Sequence, residues 1–221
     1  MPEALGFDIY GTLVDPLEMD EHLGEIVGEG AGRFSALWRE KQIEYTWRRA
    51  LMREYADFGV CTRQALDFAA LSFGLDLSDE HRDGLVEEYQ NLRPFPDVLA
   101  GLGRLRSEGH ALVAFPNGVE AAARVLLERG GVLDHMEAVV SVDDLGTFKP
   151  DPEVYRYLAR RLGRPVGETW LVSSNAWDVI GAKSAGLRAA WVKRTPETIY
   201  DPWGIEPDFV VEDLGQLPGR L

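Results

Sequence analysis

Short apolar runs alternate along the chain with longer stretches in which apolar residues recur every three to four positions. Residues 4–10, 111–115, 138–142, 169–172, 189–192 and 209–211 read as strands, the first four each ending in a cluster of turn-forming or polar residues. Residues 97–108, 119–129, 152–162 and 176–185 carry the helical spacing instead. Strands that are almost continuously apolar are buried on both faces, and strands alternating with helices form parallel sheets. The pattern predicts an α/β fold, a doubly wound, Rossmann-like parallel sheet with helices on either side.

One interval breaks the alternation. After the first strand about a hundred residues pass before the second, and they hold helical patterns at 32–56, 62–75 and 80–91, closed by Pro94 and Pro96. That is far too long for a loop. The spacing therefore predicts a helical cap, residues 16–93, inserted after strand one into a core made of 1–15 and 94–221.

Charge narrows the partners. Against 23 Lys and Arg stand 37 Asp and Glu, a net charge of −14. Nucleic acid and anionic membranes both require a basic face, so neither is expected as a partner. No apolar run approaches the roughly 18 residues of a membrane helix, and the first residues lack the basic and apolar regions of a secretory signal, which predicts a cytoplasmic protein. The single cysteine, Cys61, allows neither an intramolecular disulfide nor a cysteine zinc site.

Ligands of open parallel sheets bind beyond the carboxyl ends of the strands. The polar residues expected there are Asp8, Tyr10 and Thr12 after strand one, Asn117 after strand two, Lys149 after strand three, and Ser173, Asn175 and Asp178 after strand four. A carboxylate beside a lysine and a second carboxylate suits nucleophilic catalysis by the first carboxylate, its charge balanced by the lysine. Each residue also has a plainer explanation. Asp178 would cap the following helix, Asn117 before Gly118 would form a turn, and Arg39, among Glu40, Lys41 and Glu44, would lie on a solvated helix face.

The segments Phe7-Asp8-Ile9-Tyr10-Gly11-Thr12-Leu13-Val14-Asp15, Lys149-Pro150-Asp151-Pro152 and Ser173-Ser174-Asn175-Ala176-Trp177-Asp178 together resemble the first, third and fourth motifs of the haloacid dehalogenase superfamily. The predicted cap, through Trp38 to Trp47 and then Tyr55-Ala56-Asp57-Phe58, is similar to that of the L-2-haloacid dehalogenases. The resemblance spans core and cap. It implies hydrolysis of a short (S)-2-haloalkanoic acid to the 2-hydroxy acid, without metal or organic cofactor, in a homodimer joined through the cap. Asp8 would attack C2 and form an ester, and water would then attack the Asp8 carboxyl carbon. Arg39 and Asn117 would receive the halide, and Lys149 would balance the charge of Asp8. Asp178, with Asn175 and Lys149, would position or deprotonate the water, while Thr12, Ser173 and Tyr155 orient these groups. Tyr10, Ile43, Phe58 and Trp177 would wall the substrate carbon.

Two positions depart from wider superfamily patterns. Phosphatases of the superfamily carry a second aspartate two residues after the nucleophile, where this chain has Tyr10. A halide leaves as a weakly basic anion and needs no such acid. The residue before Asn117 is normally Ser or Thr, and here it is Pro116. Proline offers neither hydroxyl nor N–H to a substrate carboxylate, a loss of about 1–3 kcal/mol per donor. The alternatives are the same carboxylate chemistry on another small substrate, of haloacetate, fluoroacetate or azetidine-2-carboxylate type, and a magnesium-dependent phosphatase, which Tyr10 and Pro116 both count against. A non-enzymatic scaffold would have no use for Asp8, Lys149, Asn175 and Asp178 together.

Overall fold

A computed structural model describes residues 2–16 and 19–221. Six strands, β1 (Ala4–Phe7), β2 (Ala111–Ala114), β3 (Ala138–Val139), β4 (Thr169–Ser173), β5 (Arg188–Val192) and β6 (Phe209–Val211), form one sheet in the order β3-β2-β1-β4-β5-β6. Every pairing is parallel. The chain winds outward from β1 in one direction through β2 and β3, and in the other through β4, β5 and β6. The crevice where the winding reverses, at the carboxyl ends of β1 and β4, is the ordinary ligand position of such sheets.

Successive side chains of a strand point to opposite faces, and the sheet is apolar on both. Leu5, Phe7, Leu112, Ala114, Trp170, Val172 and Ala190 belong to a buried cluster with α5 (Val98–Ser107) and α6 (Glu120–Arg129). Val113, Phe115, Leu171, Ala189 and Trp191 pack with α7 (Pro152–Leu162) and α8 (Ala176–Ala185). Local chemistry fixes the helix ends. Pro152 opens α7, where its missing N–H costs nothing, and the Asp151 carboxylate accepts the Glu153 N–H at 2.9 Å. Gly163 ends the helix in the left-handed conformation (φ 63°).

Between β1 and β2 lie α1 (Met19–Val27), α2 (Ala31–Met52), α3 (Phe58–Phe73) and α4 (Asp79–Glu88). The α2–α3 hairpin holds fully buried Trp38, whose indole N–H donates to the Thr62 carbonyl at 2.9 Å and whose ring meets Phe34 and Tyr89 edge-on. The Asp57 carboxylate caps α3 through the Val60 N–H at 3.0 Å. The insertion joins the core where two chain segments run side by side. Phe95 N–H donates to Leu13 O and Asp15 N–H to Arg93 O, both at 3.0 Å, around an antiparallel bridge between Val14 and Pro94.

Several element bounds differ from the sequence pattern. β1 stops at Phe7, because Ile9 O takes the N–H groups of Thr12, Leu13 and Val14 and the chain turns. Ile9 is nonetheless fully buried, which is why it reads as strand. β3 is two residues long, and Val142 opens a 3-10 turn capped by the Ser141 hydroxyl. α1 lies outside the helical patterns read from the sequence although Met19, Leu23, Ile26 and Val27 recur at helical spacing and pack on the core; the helix is only nine residues long and holds Gly24.

Gly181 sets the spacing of α7 and α8. A Cβ there would lie 2.5 Å from the Tyr155 hydroxyl and 2.7 Å from Pro150 Cβ. We expect Gly181→Ala to lower stability by about 1–3 kcal/mol through overpacking, measured by urea denaturation.

Candidate active site

Asp8 follows β1 and is buried. Its Oδ2 accepts hydrogen bonds from Asn175 Nδ2 at 2.8 Å, Thr12 Oγ1 at 2.9 Å and Ser173 Oγ at 3.4 Å. Its Oδ1 lies 3.2 Å from the Lys149 ammonium, which also reaches Asp178 Oδ2 at 2.9 Å. Lys149 and Asp178 are both completely buried. A buried charge is tolerated only when paired and hydrogen-bonded, and here one cation holds two carboxylates. The ammonium also stands 4.6 Å from the centre of the Phe115 ring.

Burial alone would push Lys149 down. The flanking Asp178 and Asp8 carboxylates reverse this and hold its pKa above the ordinary lysine value. Burial raises Asp178, and the attraction of Lys149 offsets only part of that, so its pKa lies above the ordinary aspartate value. The Tyr155 hydroxyl donates to Asp178 Oδ1 at 2.7 Å, and burial beside that carboxylate raises its own pKa well above the usual tyrosine value.

Helix α8 begins at this cluster. Asn175 occupies its N-cap position, yet the side chain makes no cap hydrogen bond. Its amide donates to Asp8 and, at 3.2 Å, to the Tyr10 carbonyl. A helix start also carries partial positive charge, which favours an anion such as Asp8. Asp178, in the first turn of α8, is held by Lys149 and Tyr155, so the simple capping explanation fails. Asn117 Oδ1 accepts the Lys149 backbone N–H at 2.9 Å, which leaves the amide NH2 as the donor end of that side chain.

The insertion supplies the other wall. Arg39 of α2 donates to the Tyr10 carbonyl at 3.1 Å and lies 3.5 Å from Asn175 Oδ1. It is half-buried at the seam with the core, which excludes the solvated-face explanation. Ile43, one turn further along α2, packs on the cluster that contains Phe58 and Phe115. Phe58 stacks on Tyr10 with ring centroids 6.0 Å apart. Burial, with Tyr89 beside it, raises the Tyr10 hydroxyl far above the usual tyrosine pKa. Phe58, Tyr10 and buried Pro116 line a cavity of about 100 Å³ together with Tyr89, Gly118 and Ala122. Trp177 meets Trp47 of α2 edge-on at 5.6 Å. Of the expected polar side chains, Thr12, Lys149, Ser173 and Asn175 touch Asp8 directly, while Asp178 and Asn117 reach it through Lys149, Arg39 through Asn175, and Tyr155 through Asp178.

Three further groups are not singled out by the sequence. Ser174 donates its backbone N–H to Thr12 Oγ1 at 2.8 Å, Phe115 lies beneath Lys149, and Tyr89 meets the Tyr10 ring edge-on. Ser174 stands inside a motif and is traceable there. Phe115 and Tyr89 are ordinary core aromatics until the sheet and α4 are assembled. Among the described residues no group of three or more His, Cys, Asp or Glu side chains is placed to hold a metal ion.

Comparison with known proteins identifies the family and the fold. Residues 2–186 match the family description "haloacid dehalogenase-like hydrolase". (S)-2-haloacid dehalogenase 2 of Pseudomonas sp. strain CBS-3 is 34% identical over 97% of this chain and 93% of its own. Haloacetate dehalogenase H-2 of Moraxella sp. strain B is 37% identical over 95% and 93%. The structure of L-2-haloacid dehalogenase from Xanthobacter autotrophicus with chloropropionic acid covalently bound is 32% identical, with a TM-score of 0.93 over 99% of this chain and 97% of that one. The chain therefore belongs to the haloacid dehalogenase-like hydrolases.

Proposed function

We propose that this protein hydrolyses short (S)-2-haloalkanoic acids to 2-hydroxy acids through an ester on Asp8. The observation that carries this is the Lys149 ammonium between Asp8 and Asp178, with Tyr10 instead of a second carboxylate two residues after Asp8. The covalently bound chloropropionic acid of the Xanthobacter enzyme supports the ester. The cap is residues 16–93, and the core is 1–15 with 94–221.

In the first step an Asp8 carboxylate oxygen attacks C2. A C–O bond forms, the carbon–halogen bond breaks in line, and the configuration at C2 inverts. The leaving halide goes to Arg39 and the Asn117 amide, since a guanidinium is permanently charged and weakly hydrated. Tyr10, Ile43, Phe58 and Trp177 exclude water from the reacting carbon, which strengthens the electrostatics around it. In the second step Asp178 takes a proton from water, whose oxygen attacks the Asp8 carboxyl carbon. The tetrahedral centre collapses, the bond from the Asp8 carboxyl carbon to the product oxygen breaks, and that oxygen takes the proton back from Asp178 as the 2-hydroxy acid departs. The proton left on the Asp8 carboxyl is released to solvent, which restores the carboxylate. Lys149, Thr12, Ser173 and Asn175 hold Asp8 in place and Tyr155 holds Asp178. The Moraxella relative is named for haloacetate, so haloacetates belong to the same reading as a second substrate.

We further infer a homodimer through α2 and α3. Leu51 (86% exposed) and Met52 end α2, while Val60, Phe68 and Leu71 (79% exposed) present an apolar face of α3. A second copy of this face would cover it. The protein works in the cytoplasm on this reading, where its one buried cysteine thiol stays reduced.

Halide release from 2-chloropropionate, chloroacetate and fluoroacetate, measured in EDTA beside a phosphate monoester with magnesium, tests the reaction. We expect halide from the wild type and none above background from Asp8→Asn. Phosphate release in its place would overturn the assignment.

The pH profile follows from the two buried charges. Asp178 must be ionised to accept a proton, and its pKa is raised, so activity falls on the acid side above the ordinary aspartate value of about 3.9. Lys149 must stay charged, and its pKa is also raised, so the rate holds beyond the ordinary lysine value of about 10.4. Initial rates between pH 4 and pH 11, on the order of these two reference values, check both limbs. For the dimer, Leu71→Glu shifts light-scattering mass from two chains to one, and an unchanged mass removes that interface.

A further inference from the structure

Arg194 lies two residues beyond β5 and makes no contact with Asp8 itself, though it reaches Thr12 next to it. Its side chain is only 12% exposed. One guanidinium nitrogen, Nη1, donates to Asp97 Oδ1 at 2.7 Å, and the other, Nη2, donates to the Thr12 carbonyl. The guanidinium carbon stands 4.1 Å from the centre of the Phe95 ring. Asp97 occupies the N-cap position of α5 without capping it. Its Oδ2 accepts the Leu214 N–H at 2.7 Å, which anchors it to the end of the core.

These partners coincide with the two chain crossings into the helical insertion. Thr12 leads into the outgoing segment, Phe95 ends the returning one, and the two are tied by the Phe95 N–H on Leu13 O. Thr12 is also the residue whose hydroxyl donates to Asp8 Oδ2 at 2.9 Å, while its oxygen accepts the Ser174 N–H at 2.8 Å. Its backbone and side chain are therefore gripped from opposite ends, by Arg194 and by Asp8 with Ser174. An arginine suits this place because its planar fork serves two acceptors while its face lies on an aromatic ring. Lysine has one charged nitrogen and cannot copy all three contacts.

We propose that Arg194 is a positioning residue of the dehalogenation site, fixing the Thr12 hydroxyl on Asp8 by holding the Thr12 carbonyl to the paired crossings of the insertion. It rests on Asp8 as the nucleophile. Arg194 does not touch the substrate, so its loss affects how well Asp8 is aimed and leaves substrate binding in place.

The test compares Arg194→Met, Arg194→Lys, Thr12→Val and the Met/Val double variant on 2-chloropropionate. Arg194→Met lowers kcat at least about tenfold with KM within about twofold, and Arg194→Lys recovers part of the loss. In the Thr12→Val background Arg194→Met changes kcat by less than about twofold, since both act through one contact. Full multiplication of the two effects, or a lowered Tm with unchanged kcat, overturns the proposal. If Arg194→Met does not fold, Asp97→Asn takes its place, with a smaller fall in kcat at unchanged KM. The Thr12 hydroxyl proton is followed separately by NMR, slow to exchange in wild type and fast in Arg194→Met. That readout decides the positioning role even if the wild type releases no halide, an outcome that would sink the haloacid reaction alone.

Discussion

One buried ammonium organises the site. Lys149 has no access to solvent and stands between Asp8 and Asp178, two carboxylates that would repel each other without it. Removing the lysine would leave both buried carboxylates uncompensated, which costs several kcal/mol. The surroundings follow from that constraint. Asn117 fixes the lysine backbone, Phe115 offers its ring face to the charge, and Tyr155 takes up the second oxygen of Asp178. The groups of strand four and α8 then complete the shell of Asp8 from the other side.

This arrangement also separates the two carboxylates by task. Asp8 accepts donors chiefly on Oδ2, which leaves only the single lysine contact on Oδ1. Asp178 lies deeper, with its pKa raised by burial, the property that suits a carboxylate to accept and return a proton. A negatively charged protein can still take an anionic substrate here, because Arg39 at the seam between the insertion and the core and Lys149 beneath Asp8 put two positive charges about the site. The net charge of −14 belongs to the whole chain and says little about that seam.

Most of the sheet and nearly all of the Asp8 cluster were legible in the sequence, for a shared reason. Parallel strands buried on both faces are continuous apolar runs, and the residues that follow them are forced onto one rim. Asp8, Ser173, Asn175 and Asp178 could be placed by that rule without knowledge of any contact. Contacts between elements distant in the chain were not legible. Phe115 is one more apolar residue of a strand until Lys149, 34 positions on, folds over it. Arg194 carries no local signal at all, because its partners Thr12 and Asp97 stand 182 and 97 positions before it, with Phe95 close to the latter. Strand ends also misled where buried residues such as Ile9 lie in turns. α1 is short, nine residues with Gly24 inside it, so its apolar positions Met19, Leu23, Ile26 and Val27 span only about two and a half turns of pattern.

The position of β1 in the sheet has a consequence for synthesis of the chain. The strand that leads into Asp8 precedes both of its neighbours in the chain, with Ala4 paired to Ala111 on one side and to Thr169 on the other. Both neighbours emerge from the ribosome long after it. The helices of the insertion, by contrast, contact one another over short separations, as Trp38 and Thr62 do, and local contacts form early. During translation β1 therefore waits as an unpaired apolar edge while the insertion collapses beside it. Thr12, four positions on, can reach Asp8 early, but Lys149, 141 positions on, and Asn175, 167 positions on, join it only when the later strands dock. Assembly of the core is therefore a late event for this chain, and Ala4–Phe7 stay open to unwanted strand pairing until it happens.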